Sequence, residues 1–323
     1  MPEAPDHLRF ALRHIKVADY ASAHPGLVAL GAQGPDPMYF RDQLFGGKTR
    51  ASERTQAFAD FAHECPPHDL FAPLAAKAAA SGGYERVAAF AFLFGLTLHY
   101  ALDANVHPYV YSRSGFDKSG KLSGHYGIDH VRFETGMTEA SAIAQGLKPS
   151  ESSPRQLLKV APVDVLEADN LLTQVFPERL HLRDYTKSWI NMVEILTLLW
   201  DPSRIKRTLL DLTRQKDSRA RALIRPGLPA TSEPIDYLNC SRSSWPDPVS
   251  GQIRSESVAD LTAGADVSAI NAARLIRCID SGAAPELGWE NLADNRNHEG
   301  LKPGELARFH LSIYHPEKPS RHQ

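Results

Sequence analysis

From about Ala88 to Glu134, a nearly continuous apolar run passes straight into a string of imidazoles and carboxylates. Val87 to Leu98 is apolar nearly all round, so a helix built from it belongs inside a protein core. It leads into Leu98-His99-Tyr100-Ala101-Leu102-Asp103-Ala104-Asn105-Val106-His107-Pro108-Tyr109, where His99, Asp103 and His107 stand at i, i+4 and i+8. On a helix the three share one face, roughly one turn apart. The pattern predicts a helix over Tyr84 to Val106, opened by Ser81-Gly82-Gly83. It should stop near His107, because a proline disfavours helical geometry in the residue before it. Gly95, one turn before His99, lacks a side chain where another helix or a metal-bound group could approach closely. A lone histidine on an apolar face is most often a hydrogen-bonded core residue. Two imidazoles flanking a carboxylate differ, because an unpaired buried Asp103 would cost several kcal/mol.

Downstream, His130 and Glu134 repeat the four-residue step on a helix read from His125 to Ala144. His125 and Asp129 form a second such pair on a neighbouring face. Spacing does not choose between the pairs, and Asp129 could instead orient a ligating imidazole. Imidazole and carboxylate are ligand types of zinc, and a helix presents two of them together at this interval, so a multi-metal site is expected. Gly31-Ala32-Gln33-Gly34-Pro35-Asp36-Pro37-Met38-Tyr39-Phe40 cannot form a regular helix and should be a rigid loop around Asp36; its bland reading is a plain turn. His63 lies near the end of a helix read over Thr55 to His63, and Asp69 to Ala80 reads as a short helix after it. His68 is ambiguous. His7 falls in the first turn of a helix running to about Tyr20. A histidine near a chain start is ordinarily exposed, and His14 and His24 have no stronger claim.

With 323 residues, 42% of them hydrophobic, the chain can bury a large core without disulfides or a partner. A formal charge of -2 argues against a general nucleic-acid binder. Cys65, Cys240 and Cys278 form no CxxC pair and read as reduced thiols. Met1 to Phe10 has neither the basic region nor the apolar run of a secretory signal, and Val87 to Leu98 is too short to span a bilayer, so a cytoplasmic protein with no transmembrane segment is expected. Residues 1–145 read as a metal-binding helical half, 146–157 as a polar linker, 158–282 as a helical C-terminal half packed on the first, and 283–323 as a polar tail, mobile in at least its last ten residues. Within the C-terminal half, Asp184 is read as capping a helix through Trp200. Arg204 to Arg225 reads as a basic helix, a solvated face or a contact for phosphate or a membrane surface. Pro226 to Pro248 reads as an ordered loop and Val258 to Ile279 as an amphipathic helix. The sequence contains no internal repeat, phosphate-binding glycine loop or serine nucleophile elbow.

Collected along the chain, the candidates are His7, Gly34-Pro35-Asp36, His63, the His99, Asp103, His107-Pro108 series, and His130 with Glu134. This set resembles the zinc-dependent phospholipase C family, whose all-helical fold is shared with the fungal single-strand-specific nucleases. The Leu98–Tyr109 run and the Gly31–Asp36 loop are the most specific pieces. Weaker similarity continues through Tyr237-Leu238-Asn239 and Trp245 to the helix after Glu256, so the resemblance covers most of the chain. It implies an all-α, multi-helix fold of the phospholipase C and single-strand nuclease type with a buried multi-zinc site. By resemblance, Asp36, His63, His99 and Asp103 would hold one Zn2+ and His107, His130 and Glu134 a second, while Asp103 bridges to a third that also takes His7. In the secreted enzymes the third ion also uses the amino group of a mature N-terminal tryptophan; here the chain reads Met1-Pro2-Glu3, so that ligand has no counterpart. The interval from the bridging aspartate to the next histidine is longer in the secreted enzymes, and the loop before His130 is longer here. Those departures bear on the pocket's shape.

The resemblance implies a hydrolase, a phosphodiesterase acting on a phospholipid at a membrane surface or on a related small ester, with no stable nucleic-acid partner. Three divalent ions against three ligating carboxylates would leave an electropositive pocket in which a metal-bridging hydroxide attacks the phosphodiester in line, with Asp36 as the catalytic base that orients the water. Two other readings come from different classes. A nuclease of the same fold would need aromatic stacking surfaces near the metals, for which Tyr100, Tyr109 and Tyr111 are candidates. A non-catalytic protein with structural zinc would enclose its ions fully.

Overall fold

The computed structural model describes residues 3–43, 48–122, 124–147, 153–213, 219–225, 235–308 and 310–315, and over them the chain is mostly helical, as expected for an all-α protein. The N-terminal part runs through α1 (Ala4–His14), a 3-10 turn at Ile15–Val17, α2 (Asp19–Ala23) and α3 (Pro25–Gly31). A second 3-10 turn, Asp36–Phe40, replaces the irregular loop read from the sequence. Pro37 lies in its first turn, where a missing N–H costs nothing. Then come α4 (Arg50–Glu64), α5 (Pro67–Ala80), α6 (Gly83–Ser114) and α7 (His125–Ala144). Helix α4 starts five residues before the sequence reading, because Thr49 and Ser52 form a reciprocal capping box.

Helix α6 is the axis of the fold and packs against α1, α2, α3, α5, α7 and α13 (Val258–Asp280). Its most apolar 18-residue window is 94% buried. The approach of α3 depends on two facing glycines: a Cβ on Gly95 would lie 2.3 Å from the Val28 carbonyl oxygen, and one on Gly31 would lie 2.2 Å from that of Phe92.

The expected stop at His107 is overturned, since α6 continues through Pro108 to Ser114. A proline inside a helix costs about 3 kcal/mol. Against that, Val106, Tyr109, Val110 and Tyr111 are all at most 2% exposed, and fully burying one large apolar side chain stabilises by roughly 1.5–3 kcal/mol. Packing outweighs the local rule. His107 therefore sits inside the helix, in register with His99 and Asp103, and Tyr111 extends the same face. The helix ends at Gly115, whose φ of 76° suits a residue without a side chain. The exposed loop read at Ser112 to Gly124 thus begins later than expected, and Ser112, Ser114 and Phe116 are buried.

In the C-terminal half, α8 (Pro154–Leu157) lies within the range read as a linker and is followed by α9 (Pro162–Val175) and α10 (Asp184–Leu199). The N-cap of α10 is Arg183, not Asp184. Asp184 instead accepts a bidentate pair from Arg54, at 2.7 and 2.9 Å, and the His181 N–H at 2.9 Å. The basic run forms two short helices, α11 (Ile205–Leu212) and α12 (Arg219–Leu223), rather than one. Arg214 and Lys216 of that run lie outside the described residues, as do 226–234 of the proline-rich segment, 148–152 of the linker, and 309 and 316–323 of the tail. An antiparallel two-residue pair, Trp245–Pro246 with Ile253–Arg254, is the strand content among the described residues. After α13, a 3-10 segment at Trp289–Asn295 buries Trp289 and Leu292 in the core.

Candidate metal centre

Eight side chains named from the sequence fall into adjoining groups of donor atoms. Helix α1 carries His7, and its N-terminal end is fastened to α7. Thr135 donates to Glu3 at 2.7 Å, Thr138 donates to Asp6, and Arg225 pairs with Glu3. His7 is thereby driven inward to 1% exposure, where its ring stacks on His99 with centroids 4.0 Å apart. Its Nε2 lies 3.2 Å from Asp103 Oδ1. The bland expectation of an exposed residue near the chain start fails because these polar ties pull the first turn into the protein.

The 3-10 turn at Asp36–Phe40 packs on α4 and α10. It brings Asp36 Oδ1 to 3.3 Å from His63 Nε2 and 3.9 Å from His99 Nε2. Asp103 sits one turn after His99, with Oδ2 3.0 Å from His99 Nε2, and both residues are fully buried. Its two carboxylate oxygens therefore face different imidazoles, His7 and His99. One turn further along the same face of α6, Glu134 Oε1 lies 3.6 Å from His107 Nε2 and 3.0 Å from His130 Nε2, and Tyr111 stacks on both rings at 5.0 Å. The donor atoms form three sets: His7, His99 and Asp103; Asp36, His63 and His99; and His107, His130 and Glu134. The first two share His99.

Hydrogen bonding constrains the tautomers of three rings. His99 Nδ1 is 3.1 Å from the Ala32 carbonyl, His63 Nδ1 is 2.8 Å from the Ala59 carbonyl, and His107 Nδ1 faces the His298 carbonyl. A carbonyl only accepts, so in the neutral rings each Nδ1 carries the proton; Nε2 of His99 and of His107 then presents a lone pair, the arrangement of ligating histidines, while His63 Nε2 faces Asp36. His99 thus has one free donor atom and can serve one ion only. If that ion is the one at Asp36 and His63, Asp103 supplies its fourth ligand while its other oxygen turns to His7. Several of these atoms are buried with no hydrogen bond: both nitrogens of His7, Asp36 Oδ1, His99 Nε2, both oxygens of Asp103 and His107 Nε2. Lone pairs of imidazole and carboxylate facing each other are stabilised by a proton or a metal cation between them. The separations of 3.0 to 3.9 Å bracket the roughly 3.4 Å between ligands held about 2.1 Å from a tetrahedral zinc. These clusters could hold metal ions.

The protonation states suit that role. Burial lowers the pKa of His7, and lowers those of His107 and His130 well below the usual imidazole range. Burial works against the charge on Asp103, but the surrounding imidazoles of His99, His107 and His7 hold its carboxyl well below the usual range. His63 moves the other way: burial disfavours its charge, but its contact with Asp36 raises it. Neutral imidazoles and an ionised carboxylate are the forms that ligate.

The segment read as a polar tail also reaches the centre. His298 is 1% exposed, with its ring 5.4 Å from that of His63 and 5.5 Å from that of His99, and neither ring nitrogen has a hydrogen bond. Its backbone N–H donates to the His63 carbonyl at 3.2 Å. Asn297 braces the turn by donating to the Glu64 carbonyl at 3.2 Å and accepting the Glu299 and Leu301 N–H groups. Burial raises the pKa of Glu299, which hydrogen-bonds Tyr111. No helical spacing marks Asn297-His298-Glu299-Gly300; its one local signal is Gly300, whose φ of 77° and closeness to Pro108 exclude a side chain.

Other histidines stay outside the centre. His14 pairs with Asp266 at 3.3 Å, His68 lies against the Glu286 carbonyl at 3.1 Å, and His24 packs on Tyr84. His125 and Asp129 form a separate group with His315. No protein-family model, curated protein or solved structure matches the chain.

Proposed function

We propose that the protein is a zinc-dependent phosphodiesterase of the phospholipase C type, hydrolysing a phospholipid or related small phosphodiester. Asp36, His63, His99 and Asp103 would hold one zinc ion and His107, His130 and Glu134 a second, with a third between Asp103 and His7. The observation that carries this reading is Asp103, a fully buried carboxylate with oxygens 3.2 and 3.0 Å from two imidazoles and no hydrogen bond to either oxygen. When bound, the ions would supply Lewis acidity, lowering the pKa of water and countering charge on the phosphoryl oxygens.

The chain's own residues supply the geometry. Asp36 and His130 have the most exposed side chains of the ligand set, 10% and 12%, so the site meets the surface on their side. Asp36 is therefore placed to hold the proton of the attacking water. Three tyrosines bear on the nuclease alternative. Tyr100, Tyr109 and Tyr111 are each at most 2% exposed; Tyr100 and Tyr109 donate to backbone carbonyls, and Tyr111 is stacked on His107 and His130. None offers a free ring to a base, which supports a small diester over nucleic acid.

The test is metal content followed by substrate. Purified protein should carry more than one zinc per chain, and His99→Ala should carry less. The loaded protein should cleave a phosphocholine diester or lipid vesicles, not single-stranded DNA, and a chelator should abolish cleavage. Less than one zinc per chain, or unaltered metal in His99→Ala, overturns the proposal.

A further inference from the structure

A second cluster of metal-ligating side chains lies apart from the centre, where the start of α7 meets the end of the described chain. His125 is the first residue of α7 and Asp129 stands one turn later, while His315 comes from the segment 310–315. One donor atom from each lies within 4.8 Å of the others. His315 Nε2 is 3.6 Å from Asp129 Oδ2, and the His125 and His315 rings meet edge to face with centroids 4.5 Å apart.

Asp129 supplies the buried carboxylate of the group. It is 3% exposed, and its Oδ2, the oxygen facing His315, has no hydrogen bond. Ser312 bonds the same carboxylate, and His315, His125 and Arg132 favour its charge, with Arg132 also stacked on Tyr314, Cζ 4.0 Å from the ring centroid. The two imidazoles are exposed and so have open coordination positions beside them.

The segment that brings His315 there is fixed by its own contacts. Phe116 N–H donates to the His310 carbonyl at 2.9 Å, and Ile313 N–H donates to the Arg113 carbonyl at 2.9 Å. A Cβ on Gly115 would lie 2.4 Å from the His310 oxygen, so the segment runs directly over the end of α6. His315 is thus delivered beside α7 by ties that do not involve its ring.

We propose that His125, Asp129 and His315 form a separate, surface-accessible site for a divalent transition metal of the zinc type. Two imidazoles and one carboxylate suit a borderline cation, and the remaining positions would be filled by water. The bound ion fastens segment 310–315 to the first turn of α7, one turn before His130. This site stands independently of the phosphodiesterase reading, since it shares no ligand with the buried centre.

Equilibrium titration with Co2+, followed by its visible absorption, and equilibrium dialysis against Zn2+ test it on the full chain. His125→Ala and His315→Ala change exposed side chains and should fold normally. Each should bind one metal equivalent fewer than the wild type, whereas His99→Ala should keep this equivalent. Hydrogen exchange at the Ile313 amide should slow on adding Zn2+ to the wild type and not to His315→Ala. Equal metal content in the wild type and both variants, or exchange at Ile313 indifferent to Zn2+, overturns the proposal.

Discussion

Asp103→Asn distinguishes a metal centre from a buried ion-pair network, because the two give changes of opposite sign. The amide keeps the shape of the carboxylate but turns one oxygen into a donor and removes the charge. One of the two imidazoles that Asp103 faces, His7 at 3.2 Å or His99 at 3.0 Å, then loses its carboxylate oxygen. On the metal reading the ion beside His7 is lost, and the one shared with His63 falls to three protein ligands. At a free-ion concentration about 1,000 times Kd, each site contributes about 4 kcal/mol of stability. Losing one or two sites removes roughly 4–8 kcal/mol, again from that linkage. Unfolding entropy of about 2.1 cal/mol/K per residue, over a chain of this length, makes this a fall in Tm of roughly 6–12 °C in zinc. With a chelator the sign reverses. The wild type then holds a buried carboxylate with no hydrogen bond to either oxygen, and the variant's amide can donate to an imidazole lone pair, so the variant should melt at the same temperature or higher. A hydrogen-bonded ion-pair network would instead lose about 3–5 kcal/mol without metal. Calorimetry in zinc and in chelator, with metal analysis of both proteins, reads the difference. A variant destabilised equally under both conditions refutes the reasoning.

Acid should unfold the metal-free protein early. His7, His107, His130 and His298 have pKa values lowered by burial from the usual 6.5. The unfolded chain therefore binds protons that the native state refuses, and stability falls below pH 6.5 by up to about 1.4 kcal/mol per pH unit for each group. Asp103, with its pKa depressed from 3.8, contributes stability that is present above that value and lost below it, whereas His63, raised from 6.5, contributes stability lost as pH rises through its folded value. Urea midpoints at pH 6.5 and 5.5 check this, and equal midpoints would count against it. His298→Phe keeps the backbone bonds to His63 and His107 and removes two buried nitrogens that lack hydrogen bonds; zinc content should fall if the ring is a further ligand, while the metal-free Tm holds or rises. Unchanged zinc content would reduce His298 to packing. Gly95→Ala sets a methyl 2.3 Å from the Val28 oxygen, a clash worth about 1–3 kcal/mol. Because α3 leads to the Ala32 carbonyl that fixes His99, zinc content should fall along with the denaturation midpoint.

Much of the centre was legible because helical periodicity is a local property. His99, Asp103 and His107 share a face by spacing alone, and His130 and Glu134 repeat the step, so the structure had only to bring α6 and α7 together. The rest depended on contacts between distant parts of the chain. Nothing around His7 shows that Glu3 and Asp6 will be held by Thr135 and Thr138 and carry it inward. His298 lies in a segment without periodicity, placed by bonds to His63, Glu64 and His107. The all-helical character was also legible, but the end of α6 was not. Proline's effect at position 108 is local, whereas the burial that overrides it comes from the whole fold.

The continuation past Pro108 also decides how the centre is assembled. A helix stopping at His107 would leave that imidazole on a fraying end, free to turn away from Asp103. Instead Tyr109 and Tyr111, both buried, anchor the turn beyond it, and Tyr111 lies against His107 and His130 together. The proline then does a second job: its ring is the surface on which Gly300 rests, with space for no Cβ, so the turn carrying His298 is seated against the same turn of helix. The His107 Nδ1 bond to the His298 carbonyl closes the loop between them. The residue that appeared to break the central helix is thus part of what aligns His107, and a Gly300→Ala variant should disturb His107 and His298 together. Loss of zinc from the His107, His130 and Glu134 set in that variant, with the Asp36, His63 and His99 set less affected, is the expected result; equal loss from both would show that Gly300 supports the fold as a whole rather than this turn.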